Sequence, residues 1–597
     1  MAGIIKALGL VFGDIGTSPI YTVTVVFLIL EPTEANIIGV LSLIFWTLVF
    51  LPTIQYNVLA MSLSIRGEGG TIVLAEIFKS LLKSLKSKTV VALLSFVGVS
   101  LLMGDGVITP AISILSAVEG SALIPGLEGI SQTIIVLISI LIAILLFSFQ
   151  KKGTEKVAFA FGPVMAIWFF SLLLLGLNFI FRNPSILKAI NPLYAVGFLL
   201  NNGWKGYLIL GEVILCATGS EAMYADMGHL GSRPIREAWV FVFIALTINY
   251  LGQGAFLLSH PEARNILFEM ALSAAPLLYV PFLLLSISAT IIASQAMISG
   301  MFSIVYQAIT TRIMPVFKID YTSKELRSQI YIGSVNWFLL GAVIFIMIEF
   351  GQSSKLAAAY GLAVTGDMTI TGLAMISIFL LKKKYLPALF AIIVTLIDIT
   401  YFSSTLHKVP HGGYWSIVLA MFPFTMILLF TEGQKRLYRF MNFMPRDEFI
   451  LKFERVYRTN PRIPGTALFL LKDSSEIPPY IVETMFFHGI IYEENILLSI
   501  VRRPDPFGVT GFFKEDLCCG IRTFEIQMGY MEVVNVEEIL RENGIEERAI
   551  FYGLEDISAK GLIWKAYSIL KRVTPTFISF FQLPPKKLHG VLTRIEM

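Results

Sequence analysis

Long apolar stretches alternate with short polar connections over roughly the first 430 residues of the chain. A helix that crosses a hydrocarbon core of about 30 Å needs about 20 predominantly apolar residues. Twelve stretches are long enough, and we predict that each spans a membrane: residues 7–30, 38–63, 89–119, 130–149, 157–181, 206–227, 236–259, 275–311, 329–349, 356–381, 386–406 and 414–431. The pattern predicts an α-helical polytopic membrane protein.

The pattern changes after Phe430, where the long apolar stretches stop. Strand-like segments (TALFLLK, NILLSIVRR and RAIFYGL) then alternate with helix-like segments (NVEEILRENG and GLIWKAYSILKRV). Such alternation is typical of an α/β domain. We therefore predict a transmembrane domain over residues 1–432 and an α/β domain over residues 433–597.

The distribution of basic residues predicts the orientation of the chain. The connections after the even-numbered spans hold seventeen Lys and Arg residues, and those after the odd-numbered spans hold six. Cytoplasmic loops are enriched in Lys and Arg. We therefore expect a multi-pass protein of the cell membrane with both termini and the α/β domain in the cytoplasm.

Composition agrees with a membrane protein, because 55% of the residues are hydrophobic and 15% are charged, against about 25% charged in soluble domains. Three cysteines, Cys216, Cys518 and Cys519, are too few for a disulfide framework. The net charge of +4 is small and is explained by the loop bias, so no nucleic-acid partner is expected.

Two predicted spans, the first and the sixth, contain Gly and Pro beside a carboxylate. The first reads LGLVFGDIGTSPIYT around Asp14, and the sixth reads CATGSEAMYADMGHLG around Glu221. Matched Gly/Pro interruptions in two repeats indicate the central site of a transporter. Spans one to five and six to ten would then form an inverted 5+5 repeat with broken helices 1 and 6. The alternative is that each glycine cluster only allows close helix packing.

Charge within the predicted spans has one sign. Acidic residues inside a membrane are costly and usually functional, and none of the span interiors contains Lys or Arg. This pattern favours a cation as substrate. The acidic residues within the predicted spans are Asp14, Asp105, Glu119, Glu212, Glu221, Asp367 and Asp398. For some of them, a position near water or at a helix end explains the charge equally well.

Residue spacing predicts which oxygen atoms come together. Asp105, Thr109 and Ser113 recur every four residues and line one helical face, although Pro110 lies among them. In the same way, Asp14 and Tyr21 are seven residues apart, and Thr218 and Glu221 are three apart, so each pair has the spacing of a shared face. Oxygen ligands suit hard cations.

Glu119 lies fourteen residues after Asp105, about 21 Å along a helix. It therefore belongs to a separate position, near the extracellular mouth, where it would attract cations or carry a proton. A helix-end acid that faces water is the alternative interpretation.

Other chemistries have little support in the sequence. The six histidines are dispersed, so a transition metal is a weaker candidate than a hard cation. The stretch RGEGGTIVL lacks the Lys-Ser/Thr ending of a nucleotide-binding loop. His488, Cys518 and Cys519 form no nucleophile and base motif. We therefore expect neither an enzyme nor a cofactor.

Several motifs resemble those of the KUP/HAK/KT family of potassium uptake permeases. They are GLVFGDIGTSPIYT, RGEGGTIVL, GDGVITPAISILSAVEG, TGSEAMYADMGHLG, AAYGLAVTGDM and FSSTLHKVPHGGYW. The resemblance covers the whole membrane region and is looser beyond about residue 440. The usual Leu before the Tyr of the first motif is Ile20 here, which is a conservative change.

The resemblance implies the fold of the amino acid/polyamine/cation superfamily and K⁺ uptake coupled to H⁺ entry. Some relatives are homodimers, and some bind a cyclic dinucleotide through the cytoplasmic domain, so a homodimer and a nucleotide regulator remain open. The family's binding positions correspond to Asp14, Tyr21, Asp105, Thr109, Ser113, Thr218, Glu221 and, less directly, Tyr360.

We therefore expect alternating access, with K⁺ held by Asp105, Thr109, Ser113, Thr218 and Tyr21 together with free backbone carbonyls. Asp14 and Glu221 would shape the electrostatics of this site. Asp14 is the first candidate for proton coupling and Glu119 the second. Two alternatives remain, namely an organic-cation or amino-acid carrier on the same fold, and a receptor or sensor whose tail carries the function.

Overall fold

The computed structural model describes residues 2–65, 67–127, 129–152, 155–321, 330–472, 475–503, 508–529, 532, 535–574 and 583–596. Three of the basic residues used to predict the orientation, Arg66, Lys324 and Arg327, lie outside these ranges. The chain forms two compact units: the first comprises residues 1–304 and 320–424, and the second comprises residues 305–319 and 425–597. The predicted domain boundary at 432/433 stays a prediction.

Helices account for most of the membrane region. They are α1 (Ala2–Leu10), α2 (Gly13–Thr17), α3 (Thr22–Ile29), α4 (Glu34–Leu48), α5 (Thr71–Leu81), α6 (Leu85–Glu119), α7 (Gln132–Phe149), α8 (Glu155–Arg182), α9 (Pro192–Val213), α10 (Glu221–Ala225), α11 (Met227–Leu230), α12 (Ser232–Leu257), α13 (Ile266–Ala274), α14 (Tyr279–Thr310), α15 (Gly333–Phe350), α16 (Ser353–Ala359), α17 (Leu362–Leu381), α18 (Tyr385–Leu406) and α19 (Tyr414–Phe440). A π-helix, Val49–Leu59, continues α4 through Pro52.

Eleven helical segments of the described residues are long and apolar enough to cross a membrane. The count becomes twelve when the bent pair Gly3–Leu10 and Gly13–Ile29, whose axes differ by 68°, is taken as one span. This confirms the prediction of a polytopic helical protein. The sixth apolar segment starts at Pro192, but its first helix is interrupted at Gly203, whose backbone is not helical (φ 49°, ψ −122°). The predicted start at residue 206 lies just after this interruption.

A short two-stranded sheet, β1 (Asp320–Tyr321) and β2 (Ile330–Tyr331), precedes α15. The remaining strands belong to the second unit: β3 (Met444–Pro445), β4 (Ile463–Leu471), β5 (Glu476–Ile477), β6 (Tyr492–Arg503), β7 (Val509–Cys518), β8 (Ile521–Gly529), β9 (Glu547–Ser558) and β10 (Leu588–Glu596). Its helices after α19 are α20 (Arg446–Thr459), α21 (Pro479–Val482), α22 (Val536–Glu542) and α23 (Leu562–Val573).

Six strands of the second unit form one sheet in the order β10-β9-β4-β6-β8-β7. Its neighbours pair in parallel, except for the antiparallel edge strand β7. Successive side chains of a strand point to opposite faces, so Phe469 packs with Phe453 of α20 on one face, and Leu468 packs with Leu540 of α22 on the other. Helices on both faces explain why the central strands are nearly continuous in apolar residues. The predicted α/β tail is confirmed.

Candidate functional site

The first apolar segment changes direction just before Asp14. After α1 the chain bends, and the short helix α2 carries Asp14 to a buried position. Glycines allow this bend to pack closely: an added Cβ at Gly13 would lie 2.8 Å from the Ala293 Cα. Close packing at these glycines and a change of helix direction therefore occur at the same place, and one does not exclude the other.

A 3₁₀ turn over Ser18–Ile20 follows α2 and leads to Tyr21. The Ser18 Oγ lies 3.3 Å from the Tyr21 hydroxyl, and the Thr17 Oγ1 donates to the Asp14 carbonyl at 2.9 Å. All of these side chains are buried. The segment thus presents a carboxylate and three hydroxyl groups to the protein interior.

The residues predicted to form an oxygen face in the third span, Asp105, Thr109 and Ser113, lie in one helix of the structure. Helix α6 continues through Pro110 without interruption. The Thr109 Oγ1 donates to the Asp105 Oδ2 at 3.1 Å, and the Ser113 Oγ lies 3.4 Å from the Thr17 Oγ1 of the first span. The third span therefore contacts the first through hydroxyl groups.

The sixth apolar segment loses its α-helical conformation before Glu221. After α9, a 3₁₀ turn covers Ile214–Ala217, Thr218 is extended (φ −61°, ψ 144°), and α10 begins at Glu221. The expected helical face shared by Thr218 and Glu221 is wrong, because an extended residue separates the two helices. The Thr218 Oγ1 instead lies 3.3 Å from the Ser18 Oγ.

Gly219 brings the first and sixth segments into direct contact. Its φ is +84°, and an added Cβ would lie 2.7 Å from the Asp14 Oδ2 and 2.8 Å from the Ile15 amide nitrogen. Glycine adopts positive φ without steric cost. Both its conformation and its surroundings therefore require glycine here.

Tyr360, between α16 and α17, completes the cluster. Its hydroxyl lies 3.1 Å from the Thr109 Oγ1, and its ring packs edge to face on Tyr21 at 6.4 Å. The structure thus brings together the eight residues expected from the resemblance. Thr17 and Ser18 also belong to the cluster; both stand in the first motif but were not among the predicted site residues.

The carboxyl groups of this cluster, those of Asp14, Asp105 and Glu221, are all buried. Among the described residues, both oxygens of Asp14 and Glu221 and the Asp105 Oδ1 have no partner in hydrogen-bond geometry, although Tyr360 lies near Asp14 and the Gly219 amide near Glu221. No Lys or Arg of the described chain forms an ion pair with them.

Buried carboxylates without a counter-ion are costly unless a cation or a proton neutralises them. Within the described residues, no three His, Cys, Asp or Glu side chains lie close enough together to hold one metal ion. The buried side chains that meet here offer hydroxyl and carboxylate oxygens. Such a ligand set is chemically suited to a weakly hydrated hard cation.

Glu119 occupies a separate position at the end of α6. Its Oε1 accepts hydrogen bonds from the Ser353 amide at 2.9 Å and the Gln132 Nε2 at 3.2 Å. Its Oε2 accepts from the Ser353 Oγ. Glu119 thus caps the start of α16, the helix that leads to Tyr360.

The other acids within the apolar segments have polar neighbours. The Asp398 Oδ2 accepts from the Gln55 Nε2 at 2.7 Å, and the Asp367 Oδ1 accepts from the Thr71 Oγ1 at 3.4 Å. Glu212 forms a buried ion pair with Lys408, with 2.7 Å between the Lys408 Nζ and the Glu212 Oε2. Lys408 comes from a loop, so no pattern within a span could have identified it as the partner of Glu212.

The glycine-rich stretch at residues 67–70 packs against the end of the sixth segment. An added Cβ at Gly69 would lie 2.3 Å from the Tyr224 carbonyl oxygen, and Glu68 lies against Gly228. Burial raises the pKa of Glu68 to about 8. This stretch is therefore part of the packed structure rather than an open turn.

Comparisons with known proteins cover almost the entire chain. A family model described as the K⁺ potassium transporter integral membrane domain matches residues 1–435, and one described as the K⁺ potassium transporter C-terminal domain matches residues 464–597.

Individual relatives match over the same length. A protein of Methanosarcina acetivorans named probable potassium transport system protein Kup is 58% identical over 595 residues, which cover 100% of this chain and 99% of the relative. A relative of the same name from Trichlorobacter lovleyi is 56% identical, with 100% and 98% covered. A solved manganese transporter of Eremococcus coleocola overlaps 72% of this chain and 94% of its own at 12% identity, but its TM-score of 0.38 supports no conclusion.

Proposed function

The chain belongs to the K⁺ potassium transporter family, and from this premise we propose that it takes up K⁺ across the cell membrane by K⁺/H⁺ symport. The observation that supports this most strongly is the contact between the first and sixth segments at Asp14, Ser18, Thr218 and Gly219, beside the hydroxyl face of α6. It concentrates hydroxyl and carboxyl oxygens in the protein interior.

In this proposal K⁺ is held by Asp105, Thr109, Ser113, Thr218 and Tyr21, and Tyr360 lines the same site. Carbonyl groups that the helix interruptions leave without intrahelical partners add further ligands. Asp14 and Glu221 contribute negative charge and do not need to touch the ion. Hydroxyl groups of this kind can replace the hydration shell of an ion, and they bind it less tightly than several carboxylates would.

Transport would proceed by alternating access in an inverted 5+5 repeat with broken helices 1 and 6, and with both termini in the cytoplasm. A change of direction at Asp14 and a loss of helix at Thr218 are what such a repeat needs, because each half can then move against the other around a central site.

We assign proton coupling first to Asp14. Tyr360 lies near its carboxyl group, but neither carboxylate oxygen has a partner in hydrogen-bond geometry among the described residues. A proton and a cation would therefore compete to neutralise it. Glu119 is the second candidate, but three donor groups already hold its carboxylate. A proton there would have to displace these contacts.

The test is K⁺ flux into proteoliposomes under an imposed pH gradient without Na⁺. We expect accumulation that requires the gradient, and its loss in Asp14→Asn. Asp447→Asn, an exposed acid on α20, is the matched control and should transport normally. Asp14→Glu separates a lost proton site from misfolding, because it restores a titratable group.

Flux that follows voltage alone would contradict symport, and gradient-driven flux at the original rate in Asp14→Asn would contradict the assignment of Asp14. Uptake of an organic cation or amino acid with no K⁺ flux would favour the carrier alternative.

The nucleotide regulator implied by the resemblance has a candidate location in the second unit. A cavity of about 1070 Å³ has a mixed lining of apolar, aromatic and charged side chains. The charged and aromatic ones include Arg312, Arg439, Lys571, Tyr438, Tyr552, Glu476 and Glu555. Basic groups and aromatic rings suit the phosphates and bases of a nucleotide. We propose that such a ligand binds here. Arg439→Ala should abolish ligand-induced thermal stabilisation, and unchanged stabilisation would exclude this cavity.

A further inference from the structure

Helix α23 of the second unit leaves a row of apolar side chains uncovered. Leu562, Ile563, Ile569 and Val573 are 89, 66, 62 and 79% exposed. Positions 562, 566, 569 and 573 recur at intervals of three and four residues, so they lie on one helical face. Ala566 is also exposed. An apolar face of this length in water is unfavourable and indicates an interaction surface.

The opposite face of α23 packs against the end of α19. An added Cβ at Gly433 would lie 2.2 Å from the Tyr567 ring, and the Arg436 guanidinium lies 4.4 Å above the Trp564 ring. Phe430 and Tyr567 belong to the same buried cluster. All of these residues belong to the second unit, so the position of α23 beside α19 is internal to that unit.

The sequence of α19 places these contacts at the surface of the membrane. Its apolar stretch runs from Tyr414 to Phe430, about 25 Å of helix, which approaches the thickness of the hydrocarbon core. Charged residues begin at Glu432 and continue through Lys435 and Arg436. Helix α23 therefore lies at the depth where the hydrocarbon ends and the lipid headgroups begin.

The charges of α23 suit the same location. Lys565 and Arg572 are exposed and lie to one side of the apolar row, and α23 itself contains no Asp or Glu. Arg572 also lies 3.3 Å from Asp556 of β9, but its side chain stays 69% exposed. A helix with an apolar face and basic flanks lies in the plane of the membrane interface, where long basic side chains reach the headgroups. Anionic lipids of the cytoplasmic leaflet add attraction to the basic residues.

We propose that α23 is an interfacial helix whose exposed face, Leu562, Ile563, Ala566, Ile569 and Val573, is embedded in the cytoplasmic leaflet. The occupant of this face is lipid. The helix would hold the α/β part of the second unit against the membrane, with a bilayer on one side and α19 on the other. This interaction is independent of the ion that the protein transports.

A fluorescence experiment on the full-length protein in proteoliposomes tests the proposal. Cys518→Ser and Cys519→Ser remove the two cysteines of the tail, while Cys216 is buried. In this background Ile569→Cys is labelled with an environment-sensitive fluorophore. The matched control is Leu451→Cys on α20, an apolar residue that is 69% exposed but stands among charged neighbours.

We expect nitroxide groups on lipid chains to quench the label at position 569 several-fold more strongly than the label at position 451, and aqueous iodide to show the reverse order. Leu562→Cys at the start of α23 should behave like Ile569→Cys and serves if that variant folds poorly. Strong iodide quenching at 569 would show a water-exposed face and overturn the proposal.

A label at position 569 that neither quencher reaches would mean that protein covers the face. If that shielding disappears when the vesicles contain single copies of the chain, the occupant is a second copy, and the proposal is equally overturned.

Discussion

Gly219 is the residue at which the first and sixth segments meet. Because alanine at φ +84° is strained and its Cβ would overlap the Asp14 carboxylate, Gly219→Ala should cost on the order of 1 to 3 kcal/mol and abolish Rb⁺ uptake in cells that lack other K⁺ uptake systems. The thermal midpoint of the purified variant measures the loss of folding stability. Gly300→Ala on α14 is the control, since its Cβ would meet open space; equal effects of the two substitutions would contradict a special role for Gly219.

Glu68 gives the protein a pH dependence that can be measured. Its pKa is about 8 when folded and near 4.5 when unfolded, so between these values the folded state holds a proton that the unfolded state has released. Its contribution to stability is full below the unfolded value and is lost as the pH rises through about 8. We expect Glu68→Gln to match the natural protein at about pH 5 and to exceed it in thermal midpoint at about pH 9. A constant difference across this range would contradict the shift.

Sequence patterns predict the acids and hydroxyls of the candidate site but not the residues that they contact. Asp14, Asp105 and Glu221 stand out as charges inside apolar segments. Ser18 and Thr218 are 200 residues apart, and Lys408 reaches Glu212 from a loop. Such contacts depend on how distant segments fold together, which local spacing does not encode.

At the scale of the element, α6 carries three buried side chains of the proposed K⁺ site, Asp105, Thr109 and Ser113. Thr109→Val keeps the shape of the side chain but removes the hydroxyl that links Asp105 to Tyr360. We expect a loss of roughly 1 to 1.4 kcal/mol in K⁺ binding, or about a five- to tenfold higher KM, measured by Rb⁺ uptake. Ser100→Ala, whose hydroxyl bonds only within the helix, should leave KM unchanged. A KM unchanged in Thr109→Val would remove Thr109 from the site.

Elements with one clear period were the easiest to predict. The apolar lengths of the spans and the short runs that form β4, β6 and β9 agree with the structure. Thr218 and Glu221 were harder, because a spacing of three residues suggests a common face only if the helix is continuous. The chain is extended at Thr218, and the intrinsic preferences of Thr do not predict this.

At the scale of the whole molecule, the two units do not follow the boundary between membrane helices and tail. Residues 305–319 belong with residues 425–597. A chain that ends at Phe440 would therefore lose the packing partners of Phe430 and Leu437 in the buried cluster with Tyr567. We expect faster hydrogen exchange in residues 311–319 and 431–440 of the truncated chain, with residual K⁺ flux. Unchanged hydrogen exchange in these residues would contradict the division of the chain into the two units. A complete loss of K⁺ flux in a folded truncated chain would favour the receptor alternative.

Because the two units alternate along the chain, the segments of the second unit are synthesised at different times. Residues 305–319 leave the ribosome before the 105 residues 320–424, which belong to the other unit. At 5 to 20 residues per second, these fifteen residues wait on the order of 5 to 20 s before synthesis of their packing partners even begins. The second unit is thus completed only after the last apolar helix has been made, and chaperones or membrane insertion factors that shield residues 305–319 would act during this interval.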